Sequence, residues 1–166
     1  EQHIKRDRAT SNICTAQVLV AVMAGMFAVY HGPVGLRQIA SRIHDNTLQL
    51  YKGLMNLGIT VNNNHFFDTL EVIAPTKTID NKALAKGINL NIISDDRLSI
   101  SVNELTTAAD IDELIEIFSA VKSSHSETRF DEIGIPPSTK RTTHFLTQEV
   151  FHNYQSESFL MHYIKK

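Results

Sequence analysis

Several residue types are scarce in this chain of 166 residues, and each scarcity excludes a class of protein or site. A single cysteine, Cys14, rules out both an internal disulfide framework and a cysteine-based structural zinc site. Tryptophan is absent and Lys+Arg 16 nearly balance Asp+Glu 18, so neither nucleic acid nor an anionic membrane is an expected partner. The eight histidines show no HxxxH or HExxH spacing, the patterns typical of a metal site.

What the chain does have is an apolar run at residues 16–30, in which Gln17 is the one polar residue. A helix that is apolar all round must be covered on every side, so this pattern predicts a core helix. The run is shorter than the roughly 20 apolar residues that a bilayer requires. Gly25 also weakens it as a lone helix, by about 1 kcal/mol relative to alanine. We therefore expect the helix to need a larger body, and the isolated chain to dimerise, swap this helix or fold marginally.

The residues that flank this run predict where helices begin and end. Thr10, Ser11 and Asn12 are residue types that cap helix N-termini through their side-chain oxygens. Gly32 followed by Pro33 predicts a stop and a restart, so a second helix should run from Pro33 to Gly58. Two helices joined by so short a link predict a helical hairpin.

The middle of the chain predicts a small sheet. After a polar connector at 59–64, three strands are expected, at 66–73, 88–93 and 98–102. Leu98, Ile100 and Val102 alternate with serines, a pattern that predicts one buried and one wet face. Helices are expected at 80–87 and from Thr107, where Asp110 stands at the capping-box position. The predicted fold class is α+β: a helical hairpin, then a small, mainly antiparallel three-stranded sheet with helices on one face.

The end of the chain shows weaker patterns. Serines and prolines make 122–144 a loop-rich connector, 145–151 is a short apolar segment, and Ser156 should cap a final helix. This change of pattern after residue 121 predicts a small α+β domain at 1–121, entered by a long core helix, and an extended connector with a terminal helix at 122–166.

Several continuous strings in the chain resemble one enzyme family. They are RDRATSNICTAQ with the following apolar helix and VYHGP, FFDTLEVI at 66–73, NELTTAADIDELIEIF at 103–118, and FLTQEVFHNYQSES at 145–158. The family is glycine dehydrogenase (decarboxylating), the P-protein of the glycine cleavage system. The resemblance covers most of this chain but only a portion of that long enzyme. Because Gln148, Glu149, His152 and Gln155 depart from the family's pattern, no catalytic role is assigned to them.

The resemblance implies a fold and a reaction. The fold would be the C-terminal small domain of fold type I pyridoxal-phosphate enzymes, here from the N-terminal half of the parent. That parent would decarboxylate glycine with pyridoxal phosphate and pass the aminomethyl group to the lipoyl arm of the H-protein. Implied partners are lipoylated H-protein, the C-terminal half or partner subunit, and a further copy of the enzyme. The compartment would be the bacterial cytoplasm or the mitochondrial matrix.

The resemblance also bears on cofactor contacts. The family's cofactor-binding lysine follows a His-rich strand end, and none of the lysines here does, so this segment would be structural and inactive alone. In related dimers a polar turn at the start of the equivalent helix reaches the neighbouring subunit's cofactor phosphate. Thr10, Ser11 and Asn12 are therefore candidates for cofactor binding, with plain helix capping as the alternative. Cys14 is expected to pack as a small buried residue, with a reactive thiol as its alternative.

A second hypothesis comes from a different functional class. The chain could be a stand-alone α+β dimerisation or binding module without catalysis that shares ancestry with the enzyme's small domain. The gene sequence on either side of these residues distinguishes the two hypotheses, because the enzyme requires a long upstream domain and a downstream lysine-bearing half.

Overall fold

The computed structural model describes residues 15–121 and 133–165, with the backbone alone for residues 15 and 16. The chain divides into two compact units, one of Glu1–Arg37 with Thr143–Lys166 and the other of Gln38–Thr142. The predicted boundary between residues 121 and 122 adjoins residues outside the described ranges, so the division into 1–121 and 122–166 stays a prediction.

The first element is a long helix, α1, at Thr15–Asn56, with a kink at Gly32. Gly32 has φ 57° and ψ −175°, a left-handed conformation that glycine adopts without steric cost. Pro33 follows, and because proline has no N–H it fits the first turn of the helical stretch that starts there. The predicted stop at Gly32 and restart at Pro33 are therefore confirmed, and the helical hairpin stays a prediction.

The sheet lies within the second unit and has four antiparallel strands in the order β1-β2-β4-β3. They are β1 at Thr60–Val61, β2 at Thr69–Ile73, β3 at Asn91–Ile92 and β4 at Arg97–Ser101. Thr60 pairs with Ile73, which places β1 in the segment predicted to be a connector and corrects the three-stranded prediction. The predicted α+β class with a small antiparallel sheet is confirmed.

Two further helices complete this unit, α2 at Thr76–Ala85 and α3 at Ala108–Ser119. Helix α2 begins before the expected Asp80, because the Thr76 hydroxyl donates a hydrogen bond of 2.8 Å to the carbonyl of Asp95. Thr107 and Asp110 form the predicted capping box, in which each side chain accepts a hydrogen bond from the other residue's backbone N–H.

One hydrophobic core holds the second unit together. The alternation in β4 is confirmed, because Leu98 and Ile100 are buried while Ser101 is exposed. Thr47 occupies an apolar position of α1 and is fully buried, and its hydroxyl donates a 2.8 Å bond to the carbonyl of Ile43. The fully enclosed core side chains include Leu50, Leu54, Ile59, Leu70, Ile79, Leu98, Ile111 and Phe118.

The described C-terminal residues contain three short helical elements. They are a 3₁₀ turn at Pro137–Thr139, α4 at Val150–Asn153 and α5 at Glu157–Ile164. Ser156 caps α5 as predicted, since its side chain accepts a hydrogen bond from the backbone of Phe159.

Candidate interaction surface

The first half of α1 is a bare apolar helix. Every residue from 17 to 25 is exposed, and the exposed fractions include 64% for Leu19, 66% for Val20 and 63% for Met23. We call residues 17–25 the bare segment. Large apolar patches on a protein surface mark sites of interaction, so the bare segment is the candidate functional surface of the described residues.

Only the end of this apolar run is covered by its own unit. Val29 is 5% exposed, and Gly32 is buried where Phe151 and Gln155 lie close to its Cα. Gln155 also donates a 2.9 Å hydrogen bond from Nε2 to the carbonyl of Phe151. Nothing in the described part of this unit gives the bare segment comparable cover.

Bare apolar surface on this scale is costly. Leaving about 300 Å² of apolar area in water costs on the order of 7 kcal/mol at roughly 25 cal/mol per Å². That cost is comparable to the whole stability of a small domain, about 5–15 kcal/mol. The expectation that this helix requires a larger body therefore agrees with its exposure.

By length and composition α1 could also cross a membrane. The stretch Gln17–Asn56 has a window of mean hydropathy 1.6, of which 11% is buried. The run 16–30 alone is too short to span a bilayer, and the non-helical Gly32 interrupts α1 directly after it. A helix enclosed by a larger protein satisfies the same criteria, so they do not distinguish a bilayer from a protein partner.

The charged side chains of the second unit tie its elements together. Lys86 Nζ lies 2.7 Å from Glu116 Oε2 and 3.2 Å from Glu113 Oε1, which connects the end of α2 to α3. Its hydrogen bond to Glu116, then that to Glu113, raises the pKa of Lys86, and the same Lys86 hydrogen bond lowers the pKa of Glu116. Glu71 and Arg97 pair at 3.2 Å across β2 and β4. These pairs are partly or fully exposed, and they join neighbouring elements of the second unit.

The described lysines are all exposed, and the expectation that none of them binds the cofactor covalently stays a prediction. They are Lys52, Lys77, Lys82, Lys86, Lys140 and Lys165. In the described residues, no cluster of three or more His, Cys, Asp or Glu side chains could hold a metal ion.

The predicted contact residues Thr10, Ser11 and Asn12 lie outside the described residues, as does Cys14, so their roles stay predictions. They precede the bare segment directly in the chain. The predicted candidates and the exposed surface are therefore parts of one stretch of sequence.

Two of the residues that depart from the family's pattern contact the backbone. His152 Nε2 lies 2.9 Å from the carbonyl of Leu146, a residue with a positive φ of 51°. Because a carbonyl only accepts, the ring nitrogen is the donor in this bond. Gln155 donates to the carbonyl of Phe151. Both side chains thus stabilise the local backbone, a role that spacing in the sequence did not reveal.

A family model for the glycine cleavage system P-protein matches residues 1–118. The chain belongs to the P-protein family. A glycine dehydrogenase (decarboxylating) of Nostoc punctiforme is 49% identical over 180 residues, which include 100% of this chain and 18% of the relative. The enzyme of the same name from Paraburkholderia xenovorans is 41% identical over 177 residues, with 99% of this chain and 18% of the relative covered. The chain thus spans about a fifth of the length of these P-protein relatives.

A solved structure agrees with this P-protein membership at the level of fold. It is a glycine decarboxylase (P-protein) of the glycine cleavage system in inhibitor-bound form, with a TM-score of 0.56 and 22% identity. The match covers 69% of this chain and 28% of that one.

Proposed function

We propose that this chain is the small α+β segment of a longer P-protein that decarboxylates glycine. The observation that carries the proposal is the match of the whole chain to 18% of a glycine dehydrogenase (decarboxylating) at 49% identity. The bare segment supports it independently, because a helix that is apolar all round requires cover from a larger protein.

In the proposed parent, pyridoxal phosphate acts as the electron sink that makes loss of the glycine carboxylate possible. Its covalent lysine would come from the C-terminal half or a partner subunit, because no lysine here follows the His-rich strand end that the resemblance implies for it. The acceptor of the aminomethyl group would be the lipoyl arm of the H-protein. The parent is proposed to be a homo-oligomer of the bacterial cytoplasm or the mitochondrial matrix.

This segment's own contribution is proposed to be an interface. Thr10, Ser11 and Asn12 would stand at the start of α1, where free backbone N–H groups and the positive end of the helix dipole favour a phosphate. No described residue is assigned to the reacting atoms. A crystal grown from sulfate would test the contact: an anion held by these three residues supports it, and their burial within the segment's own core contradicts it.

The experiment for the proposed function uses the full-length protein. Carboxyl-labelled glycine should release labelled carbon dioxide only when lipoylated H-protein and pyridoxal phosphate are present. The 166-residue chain alone should give no borohydride-reducible visible band with pyridoxal phosphate. A specific band lost on mutation of a single lysine in this chain would contradict the interface role.

The stand-alone binding module remains the second candidate. It is favoured by the hydrophobic core of the second unit, which encloses residues such as Leu54, Leu70 and Phe118 completely. A gene that encodes these residues alone would support the module. A gene that continues into a long upstream domain and a downstream half with a cofactor lysine would support the enzyme.

A further inference from the structure

Gly25 lies in the bare segment, and no described residue explains why glycine stands there. A Cβ built there meets nothing within 4 Å, and no positive φ requires glycine at this position. Glycine nevertheless destabilises a helix interior relative to alanine. The chain therefore carries an unfavourable residue where its own structure gives alanine room.

Two other glycines of α1 have close neighbours in other helices. A Cβ at Gly53 would collide with the side chain of Ile115, where α3 packs against α1. A Cβ at Gly32 would lie 2.5 Å from the carbonyl oxygen of Phe151. At Gly35 the nearest atom to an added Cβ is the Cβ of His31 in the same helix, at 3.1 Å. At two of its glycines α1 thus allows another element to approach closely.

Gly25 also shares a helix face with the covered positions. Residues 25, 29 and 32 are spaced by four and three, which places them on one side of an α-helix. Val29 and Gly32 on this side are buried, whereas Gly25 is exposed. Gly25 lies roughly 10 Å from Gly32 along the helix axis, toward the N-terminus, at 1.5 Å per residue. The covered face of the helix continues into an open one.

We propose that an apolar helix from the rest of the P-protein polypeptide crosses α1 at Gly25, with its backbone close to the Gly25 Cα. The proposal rests on the proposed function, because the relatives have more than four-fifths of their length outside the region that this chain matches. A helix is the occupant that fits, since the distance between two packed helices depends on the side chains at the contact and a glycine there permits the closest approach. The apolar side chains around Gly25, among them Val18 and Val22, demand an equally apolar partner.

The test compares the change in Tm caused by Gly25→Ala in the isolated chain with the change in the full-length protein, and we expect the two changes to have opposite signs. In the 166-residue chain the substitution should raise the helical circular dichroism signal and the Tm, because alanine favours helix and has room. In the full-length protein the same substitution should lower the Tm, because the new methyl group meets the crossing helix. Gly25→Leu should lower it further. Val34→Leu, which adds one methylene group at an exposed position of α1 outside the bare segment, is the control.

Other outcomes would overturn the proposal. An increase in Tm in both the chain and the full-length protein would mean that nothing approaches Gly25. Flotation of the chain with phosphatidylcholine vesicles would assign the bare segment to a bilayer. Dimerisation of the chain in sedimentation, abolished by Gly25→Leu, would assign it to a second copy. The decarboxylation assay is a separate readout: its failure rejects the proposed function, whereas a missing sign reversal rejects the crossing helix.

Discussion

The two halves of α1 both carry leucines, yet these leucines differ in burial. In the bare segment Leu19 is 64% exposed, whereas Leu50 and Leu54, further along the same helix, are fully buried. The later half has an apolar stripe that its own core covers, and polar residues on its other faces. The bare segment has no polar face. A helix with one apolar stripe can be covered by a single core, whereas a helix that is apolar on every face needs cover from all sides. The width of the apolar surface is therefore more informative than the number of apolar residues.

The largest expected effect comes from the buried half. Leu54→Ala should lower the free energy of unfolding by about 2–5 kcal/mol, because it removes methyl groups and leaves a cavity in a closed core. Leu19→Ala, the same substitution in the bare segment, should change it by less than about 0.5 kcal/mol. Urea denaturation of the two variants measures the contrast. Equal losses would show that the bare segment is covered in the isolated chain.

Alanine substitutions at Gly25 and Gly53 should change the free energy of unfolding in opposite directions. Gly53→Ala should destabilise the chain by about 1–3 kcal/mol, because the Ile115 side chain and α3 must shift to admit the methyl group. Gly25→Ala should stabilise the same chain by about 0.5–1 kcal/mol through helix propensity. Thermal unfolding followed at 222 nm gives both values. If Gly53→Ala were neutral, the contact between α1 and α3 would be looser than the structure shows.

Removing the N-cap of α3 should cost more stability than removing that of α5, but the difference should be smaller than in the preceding comparisons. Thr107→Ala should cost about 1 kcal/mol, because it removes a complete capping box from α3. Ser156→Ala should cost less, since the bond that its hydroxyl accepts from Phe159 is 3.4 Å long and α5 buries no residue fully. Thr107→Ser is the control, because serine retains the hydroxyl oxygen that caps the helix.

The smallest expected effect is the pH dependence of the α3 cap. Hydrogen bonds from the Thr107 backbone and then its hydroxyl hold the pKa of Asp110 below its ordinary value. A lowered pKa adds stability that is fully present above the ordinary aspartate pKa and is lost as pH falls through the folded-state value. The Tm difference between the wild-type chain and Asp110→Asn should therefore narrow below about pH 4. A difference that persists unchanged to pH 2 would assign the effect to the shape of the side chain.

Local patterns predicted much of the fold. The alternation in β4, the capping box at Thr107 and the Ser156 cap could be read from the sequence because each depends on residues a few positions apart. Strand β1 could not, since its two residues form a strand only by pairing with Val72 and Ile73. The start of α2 depends on Asp95, nineteen residues beyond Thr76, and was missed for the same reason.

The sequence by itself determined the family, the α+β class and the need of α1 for cover, because these follow from residue identity and the period of apolar positions. Tertiary structure alone decided that a fourth strand joins the sheet, and that Gly25 is open while Gly53 is packed. The physical reason is the sequence separation over which each interaction acts. Propensity and periodicity act within a few residues of the chain, whereas pairing, close packing and cover depend on residues that only folding brings together.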